Sequence, residues 1–458
     1  MIILFFILFI ISAGYLLVNL FAKEYPVVRK ISLGFLLFDG IYILALFILG
    51  FLGVIYSKQV VMGLLIVSNI FLLLANWFKY RNEMFKILLG PSPLRFSRPE
   101  FFIFVFLLIV PIIANFYWPV KDWDALALYD ARARFIVFQQ GNLVSAFKIL
   151  SPYYFSYPLF TTLNHYLVYL FGGENPMFIY TLICTTFLIT FYYLVADKID
   201  KKTAFFCTVL VGISSRIFEH SMIAYTNLPY AIYLIIGLIY LSHFFSSHRM
   251  RDLTFSSTLI GIGTFIRSEE SFWVVVTTAL IFTFLGEKIK KLKVKWFYIP
   301  LFLSIVLVFV IPWELFKKRM GIGNDTLYTF DSIATHSVSL FFSGFQLGYL
   351  KDLFIHFWRY SLRFDIYLLI GYIISVIIAK DKFKIKTILS SEIYQIVLLC
   401  LIYLFLLGGS LVLRIRFPVD HWWALGGSME RLTMFIAPLL IYFTAVNIFR
   451  RHEDFHDD

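Results

Sequence analysis

The chain alternates between long apolar stretches and short polar loops over almost its whole length. Most of the apolar stretches reach the roughly 17–25 residues with which an α-helix crosses the ~30 Å hydrocarbon core of a bilayer. Composition agrees, because 60% of the residues are hydrophobic, whereas ordinary soluble domains contain about 45–50%. The pattern therefore predicts an all-α, polytopic membrane protein with about 13 transmembrane helices. The predicted spans are 1–20, 31–56, 60–78, 101–118, 177–195, 203–218, 228–246, 253–266, 271–285, 297–315, 364–380, 388–412 and 430–449.

One apolar segment, Pro158 to Phe171, is too short for a full crossing. If it did cross, the basic loop at Lys198 would move to the opposite side of the membrane from the other basic loops. We therefore expect a re-entrant or surface-lying segment in the outer leaflet, and irregular backbone at that depth needs protein around it.

The net charge of +12 is concentrated in short loops between the predicted spans. The positive-inside rule assigns these loops to the cytoplasm, so the charge reports orientation in the membrane and gives no reason to expect a nucleic-acid partner. The same orientation places the loops 119–157, 316–362 and 413–428 on the extracytoplasmic face of a plasma or inner membrane. The basic clusters are Lys79 to Arg98, Lys198 to Lys202, Arg249 to Arg251, Lys288 to Lys295 and Lys380 to Lys386.

A proline-rich, basic stretch near residue 100 divides the chain. We expect three leading transmembrane helices over 1–98, a membrane module over 99–449 and a charged cytoplasmic tail over 450–458. The first apolar stretch lacks a basic n-region, which favours a retained helix over a cleaved signal. The three cysteines lie in apolar segments without metal-ligand spacing, and no nucleotide-binding glycine motif is present.

The polar loop after the fourth span carries the densest charge, beginning with Asp122 and Asp124. A carboxylate at the bilayer edge can stay ionised and still meet a lipid-borne substrate. Aspartate is a weak base in water, but it becomes useful when it takes the proton of a hydroxyl that is already attacking an electrophile. Asp124 is the expected base and Asp122 its assistant. Helix capping near Ala125 is the structural alternative.

Residues 125–139 have helical spacing and predict an amphipathic helix on the membrane surface. Its arginines, Arg132 and Arg134, could bind a phosphate, or they could face lipid head groups. Tyr157 follows and could belong to the interfacial aromatic belt.

Two later sites carry charge where the apolar pattern breaks. Arg267 and Glu269 interrupt the runs 253–266 and 271–285, and ionisable groups so close to the membrane are functional candidates. Arg431 follows the expected N-cap Ser428 at the start of the last span. Because a cation in the first turn opposes the helix dipole, this position favours an anionic partner such as phosphate.

Taken in order, these features resemble the GT-C superfamily of membrane glycosyltransferases, most closely its protein O-mannosyltransferase and lipopolysaccharide-sugar transferase branch. In that family an acidic motif in the first large outer loop precedes a Y-P-P-like stretch, and here Asp122 and Asp124 precede Tyr157-Pro158. The similarity covers roughly residues 100–449.

The later family signatures are matched in the same order. Asn227 and Pro229 stand where the family has a D-L-P sequence, so that asparagine replaces the common aspartate. The segment 267–270 resembles K-x-E-G, with Glu270 in place of glycine. Ser428 and Arg431 resemble the final S-x-x-R signature, which a helix with a proline follows.

The resemblance implies an inverting transfer from a dolichyl- or undecaprenyl-phosphate sugar donor to a glycan, lipid or protein acceptor. It assigns Asp124 as base, with Arg431, Arg267 and Arg132 around the lipid phosphate. Glu269, Asn227 and Tyr157 would then position the donor or acceptor. The resemblance leaves open whether a divalent cation, Mg²⁺ or Mn²⁺, takes part.

Two other functions fit a polytopic protein of this kind. An O-antigen ligase or polymerase would use a lipid-diphosphate donor with arginines and a histidine such as His336. A transporter or flippase would carry paired polar residues at mid-membrane and inverted repeats, and no repeat is evident in the sequence.

Overall fold

A computed structural model describes residues 2–81, 98–149, 157–267, 272–289, 295–321, 363–383, 390–416 and 433–450, together with 351, 354, 355, 358 and 431. All secondary structure in these residues is helical, which confirms the predicted all-α class. The α-helices are α1 Ile2–Phe21, α2 Val27–Phe51, α3 Lys58–Tyr80, α4 Arg98–Tyr117, α5 Ala131–Phe138, α6 Leu143–Ile149, α7 Phe160–Leu170, α8 Phe178–Ala196, α9 Lys201–Ile213, α10 Ser215–His220, α11 Asn227–Ser247, α12 Met250–Ile266, α13 Phe272–Ile289, α14 Tyr298–Met320, α15 Arg363–Phe383, α16 Ser390–Arg416 and α17 Ile436–Phe449.

Seven stretches of helix in the described residues are long and apolar enough to cross a membrane. They lie in α1, α2, α3, α8, α11, α14 and α16. Shorter apolar helices lie at Phe102–Tyr117, Asp365–Ala379 and Thr433–Phe449. The described part of each predicted span overlaps a helix, with bounds that differ by a few residues, and one span is interrupted. The predicted span 203–218 is interrupted, because α9 has only 13 residues and Ser214 leaves the helical conformation before α10 begins. The sequence did not predict this break, because one serine within a moderately apolar run is also compatible with a continuous helix.

The predicted short segment after Pro158 is the 11-residue helix α7. At about 1.5 Å per residue it is far shorter than the ~30 Å hydrocarbon core. Its residues from Phe160 to Val168 are buried, and it packs against α5, α2 and the turn before α5. The expectation that this segment is too short for a full crossing and is covered by protein is therefore confirmed, and its place in the outer leaflet stays a prediction.

The leading helices pack closely on the rest of the bundle through α2. Helix α1 contacts α2 and α3, while α2 also contacts α8 and α12. At the crossing of α1 and α2, Gly14 faces Gly34, and a Cβ atom on either residue would lie 2.3 Å from backbone atoms of the other. Only glycine permits so close an approach of two helix backbones.

Helix α11 is the centre of the bundle. Its membrane-length stretch is 100% buried, and it packs against α12, α8, α16 and α17. Its first residues, beginning with Asn227, follow a loop at one end of the bundle, so the central helix holds that loop in place.

Charged residues at the other end of the bundle join several helix termini. Arg29 at the start of α2 pairs with Asp197 at the end of α8 at 2.8 Å, and Arg251 near the start of α12 pairs with Glu24. The turn between α1 and α2 therefore meets two of the basic loops, those near Lys198 and near Arg249, at one end of the bundle. We call this the basic-loop end.

Candidate active site

The candidate site lies at the bundle end opposite the basic-loop end, and its central contact is between Arg431 and Asp124. Arg431 Nη1 donates a hydrogen bond to Asp124 Oδ2 at 3.2 Å, although 307 positions separate the two residues. Their side chains are 29% and 40% exposed. An ion pair this accessible adds little stability, and a ligand can reach both of its members.

Tyr225 lies beneath this ion pair. The Arg431 guanidinium is 5.4 Å from the centre of the Tyr225 ring, within cation–π range. Burial, followed by the charges of Asp124 and Asp122, raises the pKa of Tyr225. The loop before α11 and the acidic loop after α4 therefore meet at one place.

A second cluster of positive charge surrounds Tyr157. Arg132 Nη1 donates to the Tyr157 carbonyl at 2.9 Å, and the Arg267 guanidinium is 5.6 Å from the Tyr157 ring centre. Arg132 is 0% exposed, and its Nε and Nη2 have no hydrogen-bond partner among the described residues. Burial lowers the pKa of Arg132 to about 10, so the guanidinium remains charged at neutral pH. A buried cation with unused donors is suited to an anionic ligand.

Tyr129 connects this arginine cluster to the start of the central helix. Its ring is 5.9 Å from the Tyr157 ring, and its hydroxyl is 3.0 Å from Thr226 Oγ1. Asn227 comes next in the chain and is buried. A continuous series of contacts therefore joins the Asp124–Arg431 pair to the arginines around Tyr157.

The segment that follows Asp124 is a π-helical turn, Ala125–Asp130, which continues into α5. Such turns are rare in proteins, and those that do occur often lie at functional sites. Asp124 itself has helical backbone angles and makes no side-chain cap. The alternative that Asp124 caps a helix is therefore wrong, because the helical conformation already includes this residue and its carboxylate contacts Arg431 instead.

Asp130 fixes the end of the π-helical turn. Its carboxylate accepts hydrogen bonds from Arg134 Nε at 2.8 Å, from His165 Nδ1 at 3.2 Å and from the Tyr169 hydroxyl. Although burial favours the neutral acid most strongly, these bonds together lower the pKa of Asp130 to about 2. His165 Nε2 lies 3.0 Å from the Tyr180 hydroxyl and extends the network into α8.

Of the residues predicted from the sequence, the described ones gather at this end of the bundle. These are Asp122, Asp124, Arg132, Tyr157, Asn227, Arg267 and Arg431. Glu269, Ser428 and His336 lie outside the described residues. The guanidinium of Arg134 pairs with Asp130 and lies 4.6 Å from the Tyr169 ring centre, and its binding of phosphate stays a prediction.

Sequence reasoning missed three residues of this region, namely Tyr129, Asp130 and His220. Asp130 stood in the charged stretch, but nothing in the local sequence indicated its partner His165 on α7. His220 lies seven positions before Asn227, close to a family-like motif, and that proximity was the available signal.

The described residues offer no set of ligands for a divalent cation. No group of three or more His, Cys, Asp or Glu side chains within them could hold a metal ion. Asp124 is engaged with Arg431, and Asn227 replaces an aspartate with a weaker, neutral ligand.

Comparison with known families identifies part of the chain. Residues 157–315, about a third of its length, match the family model of dolichyl-phosphate-mannose-protein mannosyltransferases, a GT-C family. The matched segment includes Tyr157, Asn227 and Arg267, whereas Asp124 and Arg431 lie outside it. Searches of curated proteins and of solved structures gave no significant match. Together with the helical fold and its membrane-length helices, this match supports a membrane glycosyltransferase of the GT-C superfamily.

Proposed function

We propose that the protein transfers a sugar from a polyprenyl-phosphate donor to a hydroxyl group of a glycan, lipid or protein acceptor, with inversion at the anomeric carbon. The contact between Asp124 and Arg431 carries the proposal. It joins a carboxylate that can take a proton to a guanidinium that can bind phosphate, and both groups are accessible.

The arginine cluster supports a phosphate-bearing donor. Arg132 contributes buried N–H donors, and Arg267 lies over the same tyrosine ring. A single phosphate held by these groups and by Arg431 would be stabilised as negative charge develops on the leaving oxygen. The site lies at the end of membrane-length helices, where a lipid-linked substrate would be within reach.

The reaction forms one bond and breaks one. The acceptor oxygen attacks the anomeric carbon, its proton passes to Asp124, and the bond between that carbon and the phosphate oxygen breaks with its electrons on the lipid phosphate. Binding of the donor would draw Arg431 from Asp124 towards the phosphate. The carboxylate would then be available as the base at the moment when the acceptor arrives.

The proposal is tested by sugar transfer in membranes that contain the wild type or Asp124→Asn, with radiolabelled polyprenyl-phosphate mannose as the first donor. We expect transfer by the wild type and a loss of about 10²–10⁴-fold in the variant, the contribution typical of a general base. Asp200→Asn is the matched control, because Asp200 is an N-cap at the basic-loop end and asparagine caps a helix equally well.

Other outcomes would favour other functions. Transfer that survives Asp124→Asn, and that requires a lipid diphosphate, would favour the ligase or polymerase. Movement of lipid-linked sugar across the membrane without its consumption would favour a flippase.

We further propose that the site faces the extracytoplasmic side and that the C-terminus is cytoplasmic, as the basic loops predict. Lys121 is exposed at the site end and Lys201 at the basic-loop end. With Cys400 replaced by serine, a membrane-impermeant maleimide should label Lys121→Cys in intact cells and Lys201→Cys only after lysis. The reverse pattern would contradict this orientation.

A further inference from the structure

His220 lies beside the Asp124–Arg431 pair and has no role in the mechanism above. It ends α10, and its ring centre is 6.4 Å from that of Tyr225, the same ring that Arg431 covers. The side chain is only 8% exposed. Arg216, one turn earlier, donates to Thr433 Oγ1 at 3.0 Å and so connects α10 to the segment that follows Arg431.

The hydrogen bonds of His220 determine its tautomer. Nδ1 is 2.9 Å from the Arg216 carbonyl oxygen, which can only accept, so Nδ1 carries the proton. In the neutral ring Nε2 is then an acceptor. Nε2 is buried, and no described residue gives it a hydrogen-bond partner.

The charge state of His220 agrees with an accepting Nε2. Burial, reinforced by the positive charges of Arg431 and Arg216, lowers the pKa of His220 to about 4. The ring is therefore neutral at physiological pH, and no donor from the described part of the chain reaches the lone pair on Nε2. Burying a polar atom in this way costs free energy unless a ligand supplies the missing hydrogen bond.

We propose that His220 Nε2 accepts a hydrogen bond from a hydroxyl group of the bound substrate and thereby contributes to substrate specificity. The inference rests on the proposed function, because that function brings polyhydroxylated molecules to this place. Both the transferred sugar and the acceptor carry such hydroxyl groups, and the two sources are separable by experiment. No proton transfer is assigned to His220.

Two substitutions separate the two ring nitrogens. His220→Asn keeps a donor near the position of Nδ1 for the Arg216 carbonyl and removes the acceptor at Nε2. His220→Gln places an amide oxygen near the position of Nε2. His248→Asn is the control, since His248 is exposed at the basic-loop end and its left-handed backbone, with φ of 48°, is one that asparagine tolerates.

The measurement is kcat/KM for transfer from polyprenyl-phosphate mannose and from its 2-, 3-, 4- and 6-deoxy analogues. We expect His220→Asn to lose about three- to tenfold with the parent donor, as one neutral hydrogen bond implies. His220→Gln should recover much of that loss. If the sugar supplies the hydroxyl, one deoxy donor should be used equally well by the wild type and by His220→Asn.

Hydrolysis of the donor by water distinguishes the two sources. A hydroxyl of the sugar predicts the same loss in hydrolysis as in transfer, whereas a hydroxyl of the acceptor predicts a loss in transfer alone. Equal activity of His220→Asn and the wild type, or the same loss with every donor and no recovery in His220→Gln, would refute the assignment while the proposed function stands. No transfer by the wild type from any lipid-phosphate sugar would refute both.

Discussion

Asp124 and Arg431 form an ion pair across the site, although Asp124 follows the fourth described helix and Arg431 precedes the last described one. The pair joins the proposed base to a proposed phosphate ligand. In the proposed mechanism each group holds the other in place until a donor binds, so we expect substitution of either to affect both functions.

Replacement of Arg431 by glutamine should reduce kcat/KM for the donor by about 10²–10³-fold, because charge on the leaving phosphate loses a preorganised partner. The kcat/KM of Arg431→Lys should lie between those of the wild type and of Arg431→Gln, since an ammonium keeps the charge but lacks the planar fork of a guanidinium. Steady-state transfer assays check this, with Arg249→Gln at the basic-loop end as control. Equal activity of the lysine and glutamine variants would show that the charge has no role.

Asp130 should affect turnover through the position of Asp124. Its three hydrogen bonds fix the far end of the π-helical turn, so Asp130→Asn should lower kcat about tenfold while KM for the donor changes little. Asp130→Glu should restore part of kcat, because it keeps the charge. A rise in KM at constant kcat would indicate that Asp130 acts on donor binding instead.

Asp130 also makes stability depend on pH in the acid range. Its pKa of about 2 lies below the ordinary value of 3.8, so the folded state favours the carboxylate, and this stabilisation is complete above pH 4. It should be lost as the pH falls from about 4 to about 2, by roughly 2 kcal/mol. Thermal unfolding in detergent at several pH values should show a shallower acid slope in Asp130→Asn. Glu174→Gln, at an exposed residue, should retain the wild-type slope.

The crossing of α1 and α2 should tolerate no side chain at Gly14. A methyl group there would meet the Gly34 backbone, so Gly14→Ala should force the helices apart and lower the unfolding temperature measurably. Gly63→Ala is the matched control, because nothing lies within 4 Å of a Cβ at that helical position. Higher helix propensity should leave Gly63→Ala neutral or slightly more stable, by up to about 1 kcal/mol. Equal unfolding temperatures of the two variants would contradict this account of the crossing.

The helices were predictable because bilayer thickness sets their length and apolarity. The division into α9 and α10 was not, since Ser214 is one polar residue in a run that is otherwise compatible with a span. Local pattern also placed Asp124 and Arg431 at helix ends, where an unusual charge is visible in the sequence. Their contact could not be read from it, because hydropathy carries no information on which loops meet.

The burial of Arg132 was missed for a related reason. Its spacing predicted an amphipathic helix at the membrane surface, whereas the residue is enclosed beside Tyr157 from a later segment. The contact with Tyr157 therefore determines where Arg132 lies, and the local spacing does not. His220 escaped notice because a single histidine in sequence shows neither its tautomer nor its unused nitrogen.

The complete burial of α11 has a consequence for the order of assembly. Helices α8 and α12, its neighbours in the chain, can pack on it early in synthesis, but α16 and α17 are made much later. The same late segment delivers Arg431 to Asp124. A growing chain therefore holds a partly uncovered central helix, and an Asp124 without its partner Arg431, until this late segment has been made and inserted.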